Sequence, residues 1–325
     1  MRKILLIALL CIGVVMHLMI GKVYIPPFEI IQCFQLDSKP ISCEIIYHVR
    51  LPRTILAVII GATLAISGYI LQQVSQNPIF EPGILGVNAG ALFMMTTVQL
   101  LTGIITNTLL IMIVSFTGGL VVLLLIYILT RLTNYQQSIV PILGLLIGQF
   151  LTSIVYFILL MRSDVASDVI SKTFGSLNGT TMEDVYVLLP FAVISFMLVI
   201  VVTPNLKYFN LNQEVLMNIG FPYKKWTIIM LMIAILLASI TVPIIGTIGF
   251  VGLISPHIGQ KLSKQRTIIF SGLVGALILL LSDVVSAGIF IPALKNVNIP
   301  LGAILSVIGV PYFIMMYLRN RKAYT

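Results

Sequence analysis

Few residues in this chain could do chemistry. Among its 325 residues are 10 acids and 3 histidines. His17, His48 and His257 lie far apart, with no H-x-x-x-H spacing, so they do not read as a metal site. No G-x-x-x-x-G-K-[ST] is present, so the chain does not hold a nucleotide through a P-loop. G-x-S-x-G, which would place a serine nucleophile on a sharp turn, is absent too. Asp283 is nearly the only ionisable group inside an apolar run. It reads as a hydrogen-bonded structural acid near one end of its helix. His257, after Pro256, reads as a structural residue near a helix turn, and the scattered methionines as packing. Ion-coupled transporters usually carry several ionisable groups within their spans. A path lined by small apolar residues lacks that relay, so energy for active transport would have to come from another subunit.

Composition sets the solvent. The chain is 59% hydrophobic and 9% charged, where a soluble domain carries about 25% charged residues. Lipid must surround most of these side chains, which makes an all-α polytopic membrane protein. The net charge of +9 sits in short loops rather than on a basic face, so nucleic acid is rejected as a partner. The N-terminal apolar run is too long for a signal h-region and no A-x-A site follows, so no cleavable signal peptide is expected. Cys11 reads as a small core residue. Cys33 and Cys43 share one polar loop, where a disulfide and two unpaired thiols are equally open.

Hydropathy divides the chain into ten spans, at about 3–21, 53–74, 83–101, 107–130, 138–161, 185–202, 226–245, 246–262, 267–290 and 300–318. The eighth is short, broken and entered through glycines. Polar segments fall at 22–49, at 162–184 with a short helix ending near Gly175, and at 204–225. Small residues recur in the second and third spans: Gly61, Ala62, Ala65, Ser67, Gly68, Gly86 and Gly90. In a membrane they let helices approach closely. An inside N-terminus puts 12 of the 19 basic residues inside and 7 of the 10 acids outside. The positive-inside rule then favours an N-in, C-in chain, with Arg50 and Arg53 on the outer face. The whole of 1–325 reads as one transmembrane domain. On the inside, Leu211, Val215, Leu216 and Ile219 make an apolar face that Gly220 ends. By physics alone this is an amphipathic helix lying at the interface.

Several blocks resemble a known family. RLPR at 50–53, GATLAISG at 61–68, Gln72, Asn77-Pro78 and LGVNAGA at 85–91 form the first. NQEVLMNIGF at 212–221, GTIGFVGLISPHI at 246–258 and IPLGAILSVIGVPYF at 299–313 follow in order. Together they resemble permease subunits of ABC importers for iron-siderophore complexes, haem and cobalamin, the FecCD-like type II importers. The resemblance implies a cobalamin-importer-permease-like fold of ten helices and a second permease subunit, identical or not, with the pathway between the two. It also implies two cytosolic ATPase subunits that hold ATP and Mg, and an external substrate-binding lipoprotein. This chain would bind no cofactor and catalyse no reaction. A ferric siderophore is the expected cargo, with haem or cobalamin as the alternative and an ion-coupled secondary transporter as the rival class.

Roles follow residue by residue from the same resemblance. Arg50, Arg53 and Lys295 would dock the binding protein through salt bridges. Asn212, Gln213, Glu214, Met217, Gly220 and Phe221 would couple to the ATPase, replacing the interfacial reading of that helix. Gly61, Ser67, Gly68, Gln72, Gly86, Asn88 and Gly90 would serve helix packing or the pathway. Three positions depart from the family pattern. Ala287 stands where an arginine is frequent, Asn298 where a glutamate is, and Phe174 where a tryptophan is. They bear on the docking partners rather than the class.

Overall fold

The computed structural model describes residues 2–35, 41–102, 108–132, 140–161, 172–211, 213–263, 267–287 and 299–321. The regular elements among them are helical. They are α1 (Arg2–Met19), α2 (Pro27–Gln35), α3 (Ile41–Ser75), α4 (Val87–Thr102), α5 (Thr108–Leu132), α6 (Val140–Met161) and α7 (Met182–Leu206). After a 3-10 turn at Lys207–Asn210 come α8 (Gln213–Asn218), α9 (Tyr223–Ser239), α10 (Val242–Ile245), α11 (Val251–Leu262), α12 (Thr267–Ser286) and α13 (Leu301–Arg321). Six of the described helices are long and apolar enough to cross a membrane, and Lys3–Met19, Val87–Thr102 and Leu301–Met316 are shorter apolar helices. Large apolar side chains such as Leu124, Phe150, Ile200 and Val307 are exposed, as lipid-facing residues must be.

The chain forms two compact units. The first comprises Met1–Ala65, Phe174–Val185 and Ile248–Thr325. Here α12 packs along both α1 and α11, with Leu6, Phe270 and Val274 at the centre of the contact. Gly61 of α3 and Gly275 of α12 face each other so closely that a Cβ on either would collide with the other's carbonyl oxygen. The second unit comprises Ile66–Thr173 and Tyr186–Thr247. There α4 packs on α5 and α6 around Ala91, Leu92, Met95, Val155 and Leu159. Gly90 of α4 meets Gly118 of α5, and Gly86 lies against Gly144 and Gly148 of α6. Lipid tails are as apolar as leucine, so such close approach, rather than the hydrophobic effect, favours helix association.

Several boundaries differ from those the sequence suggests. Residues 22–49 are not simply a polar loop. Pro27 starts α2 at a position that needs no N–H, and α3 begins at Ile41, well before Arg53. A disulfide joins Cys33 to Cys43, with Cα atoms 5.3 Å apart, which decides between the two open readings. It packs with Ile25 and Ile46, and the Tyr47 hydroxyl donates to the Cys33 carbonyl at 3.0 Å. The turn at Ile46–Arg50 is π-helical. It precedes Pro52, which has no N–H to give to the carbonyl four residues back.

The third span starts at Val87 rather than Gly83. Gly86 holds a left-handed φ of +71°, and a right-handed helix cannot run through that conformation. Helix α7 starts earlier than expected, since Glu183 and Asp184 occupy its first turn, where acids suit the helix dipole. The Thr181 N–H donates to Asp184 at 2.9 Å. The expected 226–245 span runs as Tyr223–Ile245, with a turn after Ser239 and Pro243 in the short α10. Helix α11 starts at Val251, because Gly246 at φ +83° and Phe250 at φ +69° turn the chain first.

The Gly61–Gly275 contact makes a stability prediction. Gly61→Val places a branched side chain against the backbone of Gly275 and Ala276, and overpacking of this kind costs about 1–3 kcal/mol. The thermal unfolding midpoint of the purified permease should fall by several degrees. An unchanged midpoint would show that the two helices can separate without cost.

Candidate functional site

In the first unit, α3 carries charges that need partners. Asp283 of α12 is 1% exposed, and an unpaired carboxylate is costly in such a place. Arg53 meets it with a two-pronged contact. Nε donates to Oδ2, and Nη2 donates to Oδ1 at 2.8 Å. The planar guanidinium fork suits this geometry. Its third nitrogen, Nη1, donates to Asn178 Oδ1 at 2.7 Å. His17 of α1 completes the cluster. Its Nε2 lies 2.7 Å from Asp283 Oδ2 and its Nδ1 2.7 Å from Thr54 Oγ1. Thr54 in turn donates to the Arg50 carbonyl at 2.7 Å. Asp283 was expected to be a hydrogen-bonded structural acid, and it is one.

Arg50 turns back onto its own chain. It is 6% exposed, and its guanidinium donates to the Leu18 and Val23 carbonyls. The first lies in the last turn of α1 and the second just beyond it, where the helix itself supplies no donors. Gly21 leaves the necessary room, since a Cβ there would come 2.8 Å from Nη2 of Arg50. Arg53 is partly open, with 17% of its side chain exposed, beside the exposed Asn178. Lys295 and Asn298 lie outside the described residues.

The expected coupling segment lies in the second unit. Backbone residues 213–218 form α8; Asn212 lies outside the described residues, as do the side chains of Gln213, Glu214 and Met217. The helix ends in a Schellman motif. Gly220 takes φ +74°, and the Phe221 N–H donates back to the Leu216 carbonyl at 3.0 Å, satisfying a terminal carbonyl. Leu216 is fully buried, while Val215 and Ile219 stand exposed. The Phe221 ring lies 5.0 Å from Tyr208, and Phe209 lies 5.3 Å from Tyr223. These aromatic pairs tie the turn before α8 to the start of α9.

Among the small and polar residues expected to pack or line a pathway, Ser67 donates to the Ala234 carbonyl of α9 at 2.6 Å. Gly61, Gly86 and Gly90 sit at the close helix contacts described above. Gly68, Gln72 and Asn88 are buried.

Comparison with known proteins decides the class. The FecCD transport family matches residues 8–319. The chain belongs to the FecCD transport family. One similar relative is the Fe(3+)-citrate import system permease protein YfmE of Bacillus subtilis (strain 168). It is 32% identical over 324 residues, covering 96% of this chain and 94% of the relative. The probable heme-iron transport system permease protein IsdF of Staphylococcus aureus (strain Newman) is 31% identical over 286 residues, covering 86% of this chain and 84% of the relative. A solved structure, described as an inward-facing conformation of a metal-chelate type ABC transporter, shares the fold. Its TM-score is 0.80 at 24% identity, over 98% of this chain and all of that one.

As a FecCD chain with six long apolar helices, the protein is a multi-pass protein of the cell membrane. Its family match contains both the Asp283 cluster and the α8 turn. Sequence reasoning missed the partners in each. His17 gave no signal because its partners lie 37 and 266 residues away. Asn178 lies in the segment 162–184, read only as polar. Gly118, Gly144 and Gly275 were legible only as glycines on apolar helices.

The cluster predicts a specific energetic pattern. Asp283→Ala leaves Arg53 and His17 facing an empty buried site, a loss of about 3–5 kcal/mol for a broken buried pair. Thermal unfolding of the purified permease should show a large drop. Arg53→Met combined with Asp283→Leu should lose less than Asp283→Ala alone. Equal losses would mean that Arg53 and Asp283 are not coupled.

Proposed function

We propose that this chain is the membrane permease subunit of an ABC importer that takes up an iron chelate, most simply a ferric siderophore. The family match over 8–319 carries the reading, supported by a relative named for ferric citrate import. Haem is the second reading, favoured by the relative named for heme-iron transport. Two copies of this permease, or this chain and a related one, would enclose the pathway. Two cytosolic ATPase subunits would bind ATP and Mg, and this chain would bind neither. An external binding protein would deliver the chelate.

Ten spans, N-in and C-in, fit this role. Six long helices, three shorter apolar ones and α11 would supply them. The Cys33–Cys43 disulfide supports the orientation, because disulfides persist in oxidising compartments, and this one lies in the segment the charge distribution puts outside. Arg53 and Asn178 would then lie at the outer end of the first unit. With Arg50 turned inward, docking of the binding protein would fall to Arg53 and Lys295. The α8 turn would lie inside, and its exposed Val215 and Ile219 would enter the ATPase cleft with Glu214.

Uptake of labelled ferric siderophore by proteoliposomes carrying permease, ATPase and binding protein tests the whole. Uptake should require ATP and survive collapse of ion gradients. Uptake persisting without the ATPase would establish ion-coupled transport instead. Gly220→Pro tests the coupling site. Proline holds φ near −65° and cannot take +74°, so ATP hydrolysis should continue while uptake falls at least tenfold, or the ATPase should dissociate. A fully coupled variant overturns that assignment. Orientation has its own test. Val23→Cys, at an exposed position of the same segment, should be labelled by a membrane-impermeant maleimide on intact cells. Labelling only in opened cells would invert the topology.

A further inference from the structure

A cavity of about 890 Å³ lies within the second unit, between the last turn of α3, the second half of α5, the start of α6 and the first turns of α9. Its walls sort by polarity. Ser75, Gln76, Asn77 and Tyr223 gather at one end. Leu120, Leu123, Leu231 and Met232 line the other. It opens sideways, since Leu124, Tyr127, Ile228 and Met232 are each between 41% and 57% exposed. Exposed apolar side chains around such an opening suit contact with lipid. From Tyr223 to Met232 the helix rises roughly 13 Å at 1.5 Å per residue, close to half of a hydrocarbon core about 30 Å thick. The cavity is thus one leaflet deep, polar at the surface end and apolar toward the bilayer centre.

The polar end is also basic. On α9, Lys224 falls on the stripe of Thr227, Ile228 and Leu231, and Lys225 on that of Ile228 and Met232, by i, i+3, i+4 and i+7 spacing. Both lysines are exposed. Gln76 Nε2 donates to the carbonyls of Phe209 and Leu211 at 3.2 and 2.8 Å. This holds the turn that carries the exposed Lys207 beside the same end. No acid is among the described residues lining the cavity.

We propose that this groove binds one anionic phospholipid of the adjoining leaflet, its acyl chain along α5 and α9 and its phosphate at Lys224 and Lys225. The proposal rests on the chain's being a membrane protein and is independent of the transported substrate. An amphipathic groove with cations only at its polar end matches an amphiphile with an anionic head. Such lysines favour anionic over zwitterionic lipid by roughly five-fold each. A neutral lipid would leave them unused, and a soluble anion would leave the apolar half empty.

Native mass spectrometry of the purified permease, released from nanodiscs of equal phosphatidylglycerol and phosphatidylcholine, tests this. One phosphatidylglycerol should be retained in roughly tenfold or greater preference over phosphatidylcholine. Lys224→Gln with Lys225→Gln should abolish the preference while leaving the unfolding midpoint unchanged. Equal retention of the two lipids, or a preference that survives both substitutions, overturns the proposal. A photoreactive side chain in place of Leu231 gives a second readout in the assembled transporter. Adducts should carry the mass of a phospholipid. Adducts to an ATPase or to a second permease would make the groove a protein interface and overturn the lipid assignment.

Discussion

A carboxylate sealed away from water must be answered by cations or kept out, and the first unit is assembled around one that is answered. Asp283 is reached by Arg53 from α3 and by His17 from α1, while Arg53 also holds Asn178. Three stretches of chain therefore meet at one carboxylate, and Arg53 ties in a fourth. A pair of buried charges seldom gains stability over a well-packed apolar pair, so its worth here lies in specificity. Helices in lipid can slide and rotate at little hydrophobic cost. A two-pronged contact between Arg53 and Asp283 fixes the register of α3 on α12. The Gly61–Gly275 contact on the same two helices can form only in that register.

The same scarcity of water explains where the backbone may turn. A left-handed residue breaks the helical ladder and frees N–H and carbonyl groups that lipid cannot satisfy. In the second unit these breaks are covered. Gly86 turns the chain where α6 presents Gly144 and Gly148. Gly246 turns where the Lys172 carbonyl occupies the space of a Cβ and accepts the Thr247 N–H at 2.8 Å. Gly220 is the contrast, for nothing lies within 4 Å of where its Cβ would stand. Only its φ demands glycine, which fits a turn at the protein surface rather than inside it.

These distinctions mark what the sequence could tell. Long apolar runs fixed most spans to within a few residues, because lipid permits little besides helix. Asp283 stood out because acids in such runs are rare, and Gly220 because a glycine followed by Pro222 ends a helix. The contacts of Arg50 within the chain were hidden for a physical reason. They are backbone carbonyls, which carry no residue identity, and only Gly21 hinted at the space its side chain takes. Helix α2 was hidden because nine residues with Glu29 and Gln32 look like loop beside spans of twenty. The disulfide stayed open because two cysteines ten residues apart are compatible with either state, and only the packing of α2 on the start of α3 decides.

The α8 turn shows how a short element could transmit force. A six-residue helix has too few internal hydrogen bonds to persist alone. Here it is held from both sides. The Schellman bond closes its end, Leu216 anchors it, and Phe221 packs on Tyr208 while Phe209 packs on Tyr223. Tyr208 and Phe209 belong to the turn that continues α7, and Tyr223 begins α9. A push on Val215 and Ile219 would therefore not be absorbed by a loose loop. It would reach the ends of two long helices through an aromatic cluster, and α9 carries it on through the Ser67–Ala234 bond to α3. Where work arrived from a cytosolic partner, as proposed above, this would be its mechanical route.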